Sequence, residues 1–183
     1  MRIIAGEMRG RKLKTVAGML TRPTSDKVKG AIFNILGDKV LEARVLDLFA
    51  GTGNLALEAL SRGSHDVVLV EMSREAHQVI RKNIEEMGMS HKTKLLQLDA
   101  FQYINRYPNE VFDLIFLDPP YRGGMVVKAI STFKGHACLA PNGVIIAETA
   151  KDEEIEGDIY PFEIRKTGEY GDTKVWYLQR MDV

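Results

Sequence analysis

The residues best equipped for chemistry in this chain are Asp118, Pro119, Pro120 and Tyr121, which follow an apolar run at residues 112–117. That run has the length and composition of a buried strand. Neither proline has an N–H, and a residue before proline is driven to extended geometry, so exposed carbonyls are expected there beside a carboxylate and a phenol ring. Such a pocket is rich in acceptors. Its matching ligand carries two N–H donors on a flat ring, with Asp118 and the Pro119 carbonyl accepting the hydrogens and Tyr121 stacking on the ring face. An exocyclic amino group of a nucleobase meets that description. Taken alone, Asp-Pro-Pro is equally a loop signal that ends a strand.

A second set of residues surrounds Gly51-Thr52-Gly53, which reads as a tight turn between a strand at 44–50 and a short helix at 54–62. Glu71 closes the next apolar run, at the offset from Gly51 where a carboxylate accepts the ribose hydroxyls of a nucleoside. Two details favour S-adenosylmethionine over NAD. The third glycine of a dinucleotide site is replaced by Ala56. Asp47, facing the turn, repels a pyrophosphate but pairs with the amino group of a methionine moiety. Asp99, followed by the Ala100 and Phe101 backbone, is then placed to accept from the adenine amino group, with Met72 packing on the ring.

These groups need a scaffold that brings them together. Apolar runs at 44–50, 66–71, 93–98, 112–117 and 143–148 alternate with helical patterns at 54–62, from Ser73 to Gly88, around 101–104, and at 126–137. Repeated strand–helix units predict an α/β, doubly wound and mostly parallel sheet covered on both faces. In such a sheet, ligands bind beyond the carboxyl ends of the strands where the strand order reverses. Asp47, Glu71, Asp99 and Asp118 all fall at such ends. The tail differs: residues 161–167 and 173–180 alternate around glycines and predict an antiparallel hairpin on the sheet edge. At the other end, residues 2–5 and 12–16 read as a small basic β-hairpin around a loop at 6–11, followed by a helix that starts at Ser25-Asp26 and stops near Gly37. Residues 1–38 are expected to form a basic appendage and 39–183 the main domain.

The chain has 183 residues, 45% of them apolar, enough to bury a substantial core in one domain. Its formal net charge is zero, but residues 1–30 hold eight Lys/Arg against two Asp/Glu, leaving 17 against 23 in the rest. A basic arm on an acidic body points to nucleic-acid contact. Cys138 is the only cysteine and the four histidines lack metal-ligand spacing, so neither an internal disulfide nor a metal is expected. No signal peptide or membrane span is read, which makes the cytoplasm the expected compartment.

Leu46-Asp47-Leu48-Phe49-Ala50-Gly51-Thr52-Gly53, Glu71, Asp99 and Asp118-Pro119-Pro120-Tyr121 resemble the motifs of class I S-adenosylmethionine-dependent methyltransferases that modify exocyclic amino groups. Residues 2–6, 9–13 and 22–28 narrow the resemblance to the RsmD-type guanine-N2 methyltransferases of bacterial small-subunit (16S) ribosomal RNA, over essentially the whole chain. The resemblance implies a Rossmann-like methyltransferase that takes its methyl from S-adenosylmethionine. It places Asp47, Phe49, Gly51, Thr52, Gly53, Glu71, Met72, Asp99, Ala100 and Phe101 at the cofactor, and Asp118, Pro119, Pro120 and Tyr121 at the target base. Arg2, Arg9, Arg11, Lys12, Arg22 and Lys27 fall to the RNA, either free or within an assembled small subunit, and the protein is expected to act as a monomer. The chain departs from the family pattern at Gly30, where the family carries a glutamate. The rival readings are a DNA adenine-N6 or cytosine-N4 methyltransferase, disfavoured by the lack of a target-recognition domain, a non-catalytic RNA-binding module, and an NAD enzyme.

Overall fold

The computed structural model describes residues 1–18 and 24–181. Its strands are β1 (Arg44–Asp47), β2 (Asp66–Val70), β3 (Thr93–Leu96), β4 (Phe112–Leu117), β5 (Leu139–Ala150), β6 (Phe162–Tyr170) and β7 (Thr173–Arg180). They form one sheet in the order β3-β2-β1-β4-β5-β7-β6. The first five pair in parallel, and β7 inserts antiparallel between β5 and β6. The order therefore reverses between β1 and β4, as the expected doubly wound architecture requires.

Helices α1 (Asp26–Leu36), α2 (Asn54–Ser61), α3 (Arg74–Glu86), α4 (Ala100–Arg106) and α5 (Met125–Phe133) cover the two faces. Successive strand residues divide between them, because side chains alternate along a pleated strand. Val45, Leu114 and Ile146 share a core with Ile32 and Phe33 of α1, Leu57 of α2 and Ile80 of α3. Leu46, Ile115 and Ile145 pack with Tyr103 and Ile104 of α4 and Ile130 and Phe133 of α5. Three helices begin where a short polar side chain satisfies their first N–H groups. Ser25 accepts from Val28, Ser73 from Ala76, and Asp99 from Phe101 and Gln102.

Several boundaries differ from the sequence expectation for identifiable reasons. β1 runs only to Asp47, and the segment after it stays tied to both neighbours, Leu48 N–H to the Phe116 carbonyl and Ala50 N–H to that of Val70. β5 begins at Leu139, ahead of Pro141, through a register shift against β4 between Phe112 and Leu114. α5 ends at Phe133, and the C-terminal hairpin turns at Gly171-Asp172 with Gly168 inside β6.

The N-terminal hairpin is reduced to a single antiparallel bridge between Arg2 and Lys12. The N–H groups that a longer ladder would use are taken by α2 instead. Ile4 and Ala5 donate to the two carboxylate oxygens of Glu58 at 3.0 and 3.1 Å, Glu7 to the Ser61 carbonyl, and Met8 to Ser61 Oγ. Gly6 has φ +81°, and a Cβ there would fall 1.8 Å from the Ser61 carbonyl oxygen, so the approach needs glycine. Ile3, Met8 and Leu13 are buried in the same core as α1, α2 and α3.

Candidate active site

At the carboxyl end of β1, Asp47 is buried, with 2% of its surface exposed. Among the described residues its Oδ1 has no hydrogen-bond partner. Burial, then the neighbouring Asp118 charge, pushes its carboxyl up to about 8, against a smaller downward pull from the N–H groups of Ala56 and Phe49. An orphaned buried acceptor is rare in folded proteins and marks a place where a donor is expected to arrive. It lies beside the Gly51–Gly53 turn, from which α2 starts without a side-chain cap.

Glu71 braces that turn: its Oε2 accepts from Gly51 N–H at 2.8 Å and its Oε1 from Ser73 N–H at 2.7 Å. Each oxygen keeps a further lone pair for a ligand hydroxyl. Asp99 spends one oxygen, Oδ1, on capping α4. The Phe49 and Phe101 rings meet edge to face with centroids 6.3 Å apart, and Lys128 Nζ sits 4.1 Å from the centre of the Phe101 ring. Met72 is 67% exposed on the outer side. Thr52 Oγ1 contacts Met1 Sδ at 3.1 Å, and its carbonyl accepts from Asn83, so the start of the basic arm touches the glycine turn.

Across the reversal point, Asp118 is half-buried at the end of β4, with Pro119 buried and Pro120 exposed behind it. Burial raises the Asp118 carboxyl to about 6. The Tyr121 hydroxyl shares a 2.9 Å hydrogen bond with Thr173 Oγ1 of β7. Arg122, at φ +63°, is strapped to the segment after β5: its N–H donates to Glu153 and its guanidinium to Asp152, at 2.8 and 2.7 Å. A shallow cavity lies here, lined by Pro119, Tyr121, Met125, Glu148, Glu153 and Ile155 among others.

Two residues of this site escaped the sequence reading. Thr24 Oγ1 lies 3.2 Å from Asp118 Oδ2 and 3.0 Å from Oε1 of Glu148, which sits near the end of β5 with 3% of its surface exposed. Burial, with Asp118 and Asp47 nearby, drives the Glu148 carboxyl well above the usual carboxylate range. Thr24 is itself held from behind, since Asn54 Nδ2 donates to its carbonyl and the buried Lys29 Nζ donates to Asn54 Oδ1 at 2.7 Å. Glu148 had a signal, because it closes the apolar run 143–147 just as Asp118 closes 112–117. Thr24 read only as helix-start chemistry.

The sheet thus gathers Asp47, Gly51, Thr52, Gly53, Glu71, Asp99 and Asp118 at one rim, but the basic residues are spread along the arm. Arg9, Lys12 and Lys27 are exposed, Arg2 pairs with Asp26 at 2.9 Å, and Arg11 donates to the Glu86 carbonyl at the end of α3. Arg22 lies outside the described residues. Gly30 faces Ile4, whose Cδ1 is 3.5 Å from where a Cβ would stand. Among the described residues, no group of His, Cys, Asp and Glu side chains is arranged to hold a metal ion, and no helix is long and apolar enough to cross a membrane.

The family model described as Conserved hypothetical protein 95 matches residues 1–179. Ribosomal RNA small subunit methyltransferase D of Haemophilus influenzae is 35% identical over 157 residues, covering 85% of this chain and 81% of its own. This chain belongs to that methyltransferase family. The fold agrees. An Escherichia coli structure provisionally titled methyltransferase yhhF superposes with a TM-score of 0.85 at 30% identity, covering 98% of this chain and 97% of its own. At the level of fold alone, SMU.776, provisionally titled a methyltransferase and complexed with SAH, matches with a TM-score of 0.65 at 19% identity over 84% of this chain and 49% of its own.

Proposed function

We propose that this methyltransferase transfers a methyl group from S-adenosylmethionine to the exocyclic N2 of a guanine in small-subunit ribosomal RNA. The observation that carries the reading is the facing pair of acceptor sites at the strand-order reversal: the orphaned Asp47 Oδ1 beside the glycine turn, and Asp118 with the Pro119 carbonyl and Tyr121 across from it. The small-subunit ribosomal RNA methyltransferase relative supports the substrate class, and the basic arm supplies a surface for the phosphate backbone.

The residues present fit S-adenosylmethionine. Asp47, on giving up its proton, offers an anionic partner for an α-amino group, and Glu71 has lone pairs left for ribose hydroxyls. Asp99, Ala100, Phe101, Phe49 and Met72 surround the place of the adenine. When bound, this cosubstrate supplies an electrophilic methyl on a sulfonium.

The chain's own contribution is to hold the nucleophile. An aromatic amino nitrogen is weak because its lone pair is spread into the ring. Asp118 and the Pro119 carbonyl, by accepting its two hydrogens, favour a pyramidal nitrogen with the lone pair available, and fixed acceptors need no rearrangement as charge develops. Asp118 also stands where the proton lost by that nitrogen is accepted. The base must leave its stack to reach the site, and Tyr121, anchored through Thr173, replaces part of the lost stacking. In this reading residues 1–38 contact RNA, residues 39–183 carry the chemistry, and a cytoplasmic monomer acts on free RNA or on an assembled subunit.

The test is incubation with radiolabelled S-adenosylmethionine and, separately, ribosomal RNA, small subunits and DNA, followed by nucleoside analysis. N2-methylguanosine from RNA or subunits supports the proposal. Label in N6-methyladenosine or N4-methylcytosine of DNA would move the protein to the rival class. Asp118→Ala is expected to abolish transfer while leaving S-adenosylhomocysteine affinity within a few-fold.

A further inference from the structure

The contacts of Thr24 raise a problem of proton counting. Its hydroxyl has a single hydrogen, yet Oγ1 sits within hydrogen-bond distance of two carboxyl groups, Asp118 Oδ2 at 3.2 Å and Glu148 Oε1 at 3.0 Å. A hydroxyl donates once and accepts through its lone pairs. Both contacts are hydrogen bonds only if one carboxyl carries a proton and donates it to Oγ1 while the hydroxyl donates to the other. With both carboxyls ionised, one contact becomes a bare repulsion between oxygens in a buried site, and two like charges face each other across one atom.

We propose that Glu148 and Thr24 are positioning residues that share one proton with Asp118, Glu148 holding it and donating to Thr24 Oγ1 so that the Thr24 hydroxyl donates to an ionised Asp118. This deepens the proposed amino-group methylation by naming what keeps its acceptor anionic and oriented. The direction follows from the surroundings. Glu148 is almost wholly buried and faces Asp118 from β4, Asp47 from β1, the Thr24 hydroxyl from the segment before α1, and Tyr177 from β7. Asp118 is half-buried, and in the proposed reading it is the carboxyl that meets the target nitrogen. Burial penalises a charge more at Glu148, so the proton resides there, in agreement with the stronger upward displacement of its carboxyl. The Thr24 backbone is fixed by Asn54 and, through it, by Lys29, which holds the bridging hydroxyl in register.

The amide of Glu148→Gln imitates the protonated carboxyl as a donor, whereas Glu148→Ala removes the donor. Thr24→Ser keeps the bridge and Thr24→Val removes it. Carbon-13 NMR titration of the carboxyl groups in the ligand-free protein reads the ionisation directly. Asp118 is expected to titrate first, near pH 6, and Glu148 at higher pH. Glu148→Gln should leave the Asp118 midpoint nearly unmoved, since one neutral neighbour replaces another, and Thr24→Val should raise it, with Thr24→Ser restoring the wild-type value. In single-turnover methylation, Glu148→Gln should retain activity within a few-fold and lose any alkaline decline that the wild type shows through Glu148, while Glu148→Ala falls at least tenfold. A fall of about one unit or more in the Asp118 midpoint of Glu148→Gln would show that Glu148 was charged, and would overturn the proposal. An unmoved Asp118 midpoint in Thr24→Val would overturn it too. If the titrations behave as stated but the wild type methylates no RNA, the functional reading fails and the shared proton stands.

Discussion

Lys29 Nζ lies 3.0 Å from Glu58 Oε2, and neither side chain has any exposed surface. Glu58 also accepts from Ile4 and Ala5 in the arm and from Arg62 one turn along α2, while Lys29 donates to the Arg2 carbonyl and to Asn54. One buried ion pair therefore fastens the arm to α1 and α2 and reaches Thr24 behind the site. Burial lowers the Lys29 pKa, and Glu58 opposes that shift.

Removing one member strands the other without a partner in the interior, which costs about 3–5 kcal/mol. Glu58→Ala is expected to lose roughly that much in urea denaturation and to expose residues 1–18 to protease. The double variant Lys29→Met/Glu58→Leu should recover part of the loss, because no ammonium is left alone in the interior, while Arg62 and the Ile4 and Ala5 N–H groups still lose their acceptor. A Glu58→Ala protein as stable as wild type would show that the pair contributes nothing to the fold.

Asp47 couples pH to both stability and ligand binding. Its carboxyl is raised to about 8 from an ordinary 3.8, so between those values the folded state binds a proton that the unfolded chain does not. Its contribution to stability is therefore fullest below the lower value and is lost as pH rises toward about 8. Asp47→Asn should flatten that part of the stability–pH profile.

The same group should make S-adenosylhomocysteine binding pH-dependent, since a cationic α-amino group favours the carboxylate. Affinity should climb by up to about tenfold per pH unit on approaching the Asp47 pKa and level off above it. Calorimetry in buffers of different ionisation enthalpy should count up to one proton released per ligand bound at neutral pH. Asp47→Asn should bind weakly and release none.

If the exposed basic groups of the arm contact phosphates, replacing Arg9, Arg11 and Lys12 together with Ala should flatten the salt dependence of RNA affinity by about 0.7–0.9 log units per lost contact. Cofactor affinity should not change. An unchanged slope in a salt titration would move the RNA surface elsewhere, to Lys27 or the Arg122 segment.

Gly30→Ala should stabilise the protein by about 0.5–1 kcal/mol, because glycine inside a helix has more freedom to lose on folding. Gly30 lies within α1, and the added Cβ meets Ile4 Cδ1 at an ordinary van der Waals distance. Thermal or urea unfolding checks the sign, and destabilisation would mean that the arm cannot yield at Ile4.

The sheet and its helices were legible because each element carries a local signature: apolar runs at β1, β2 and β4, serine or aspartate caps at Ser25, Ser73 and Asp99, and glycine stops at Gly37 and Gly88. The rim acids Glu71, Asp99 and Asp118 were legible for the same reason, since each closes its own apolar run, and Asp47 was legible through the glycine turn that follows its run. Contacts between distant segments left no such trace. Nothing local to Thr24 shows that it meets Asp118 and Glu148, 94 and 124 residues away. Likewise, the arm's short alternation could not show that α2 would capture the N–H groups a longer hairpin needs. Periodicity reports which face of an element is buried, not which polar group on another element it meets.

The docking of the arm also sets an order of events during synthesis. Ile4 and Ala5 find their acceptor Glu58 more than fifty residues later in the chain, and Lys14 finds Asn83 69 residues later. Translation delivers residues from the amino end, so the arm emerges ahead of α2 and α3 and has nowhere to seat until they have followed. That segment is also the most basic part of the protein, with eight Lys/Arg in its first 30 residues. A nascent chain that has not yet reached α3 therefore carries its cationic arm unseated beside the ribosome, which is built from the class of polymer we propose the finished enzyme modifies.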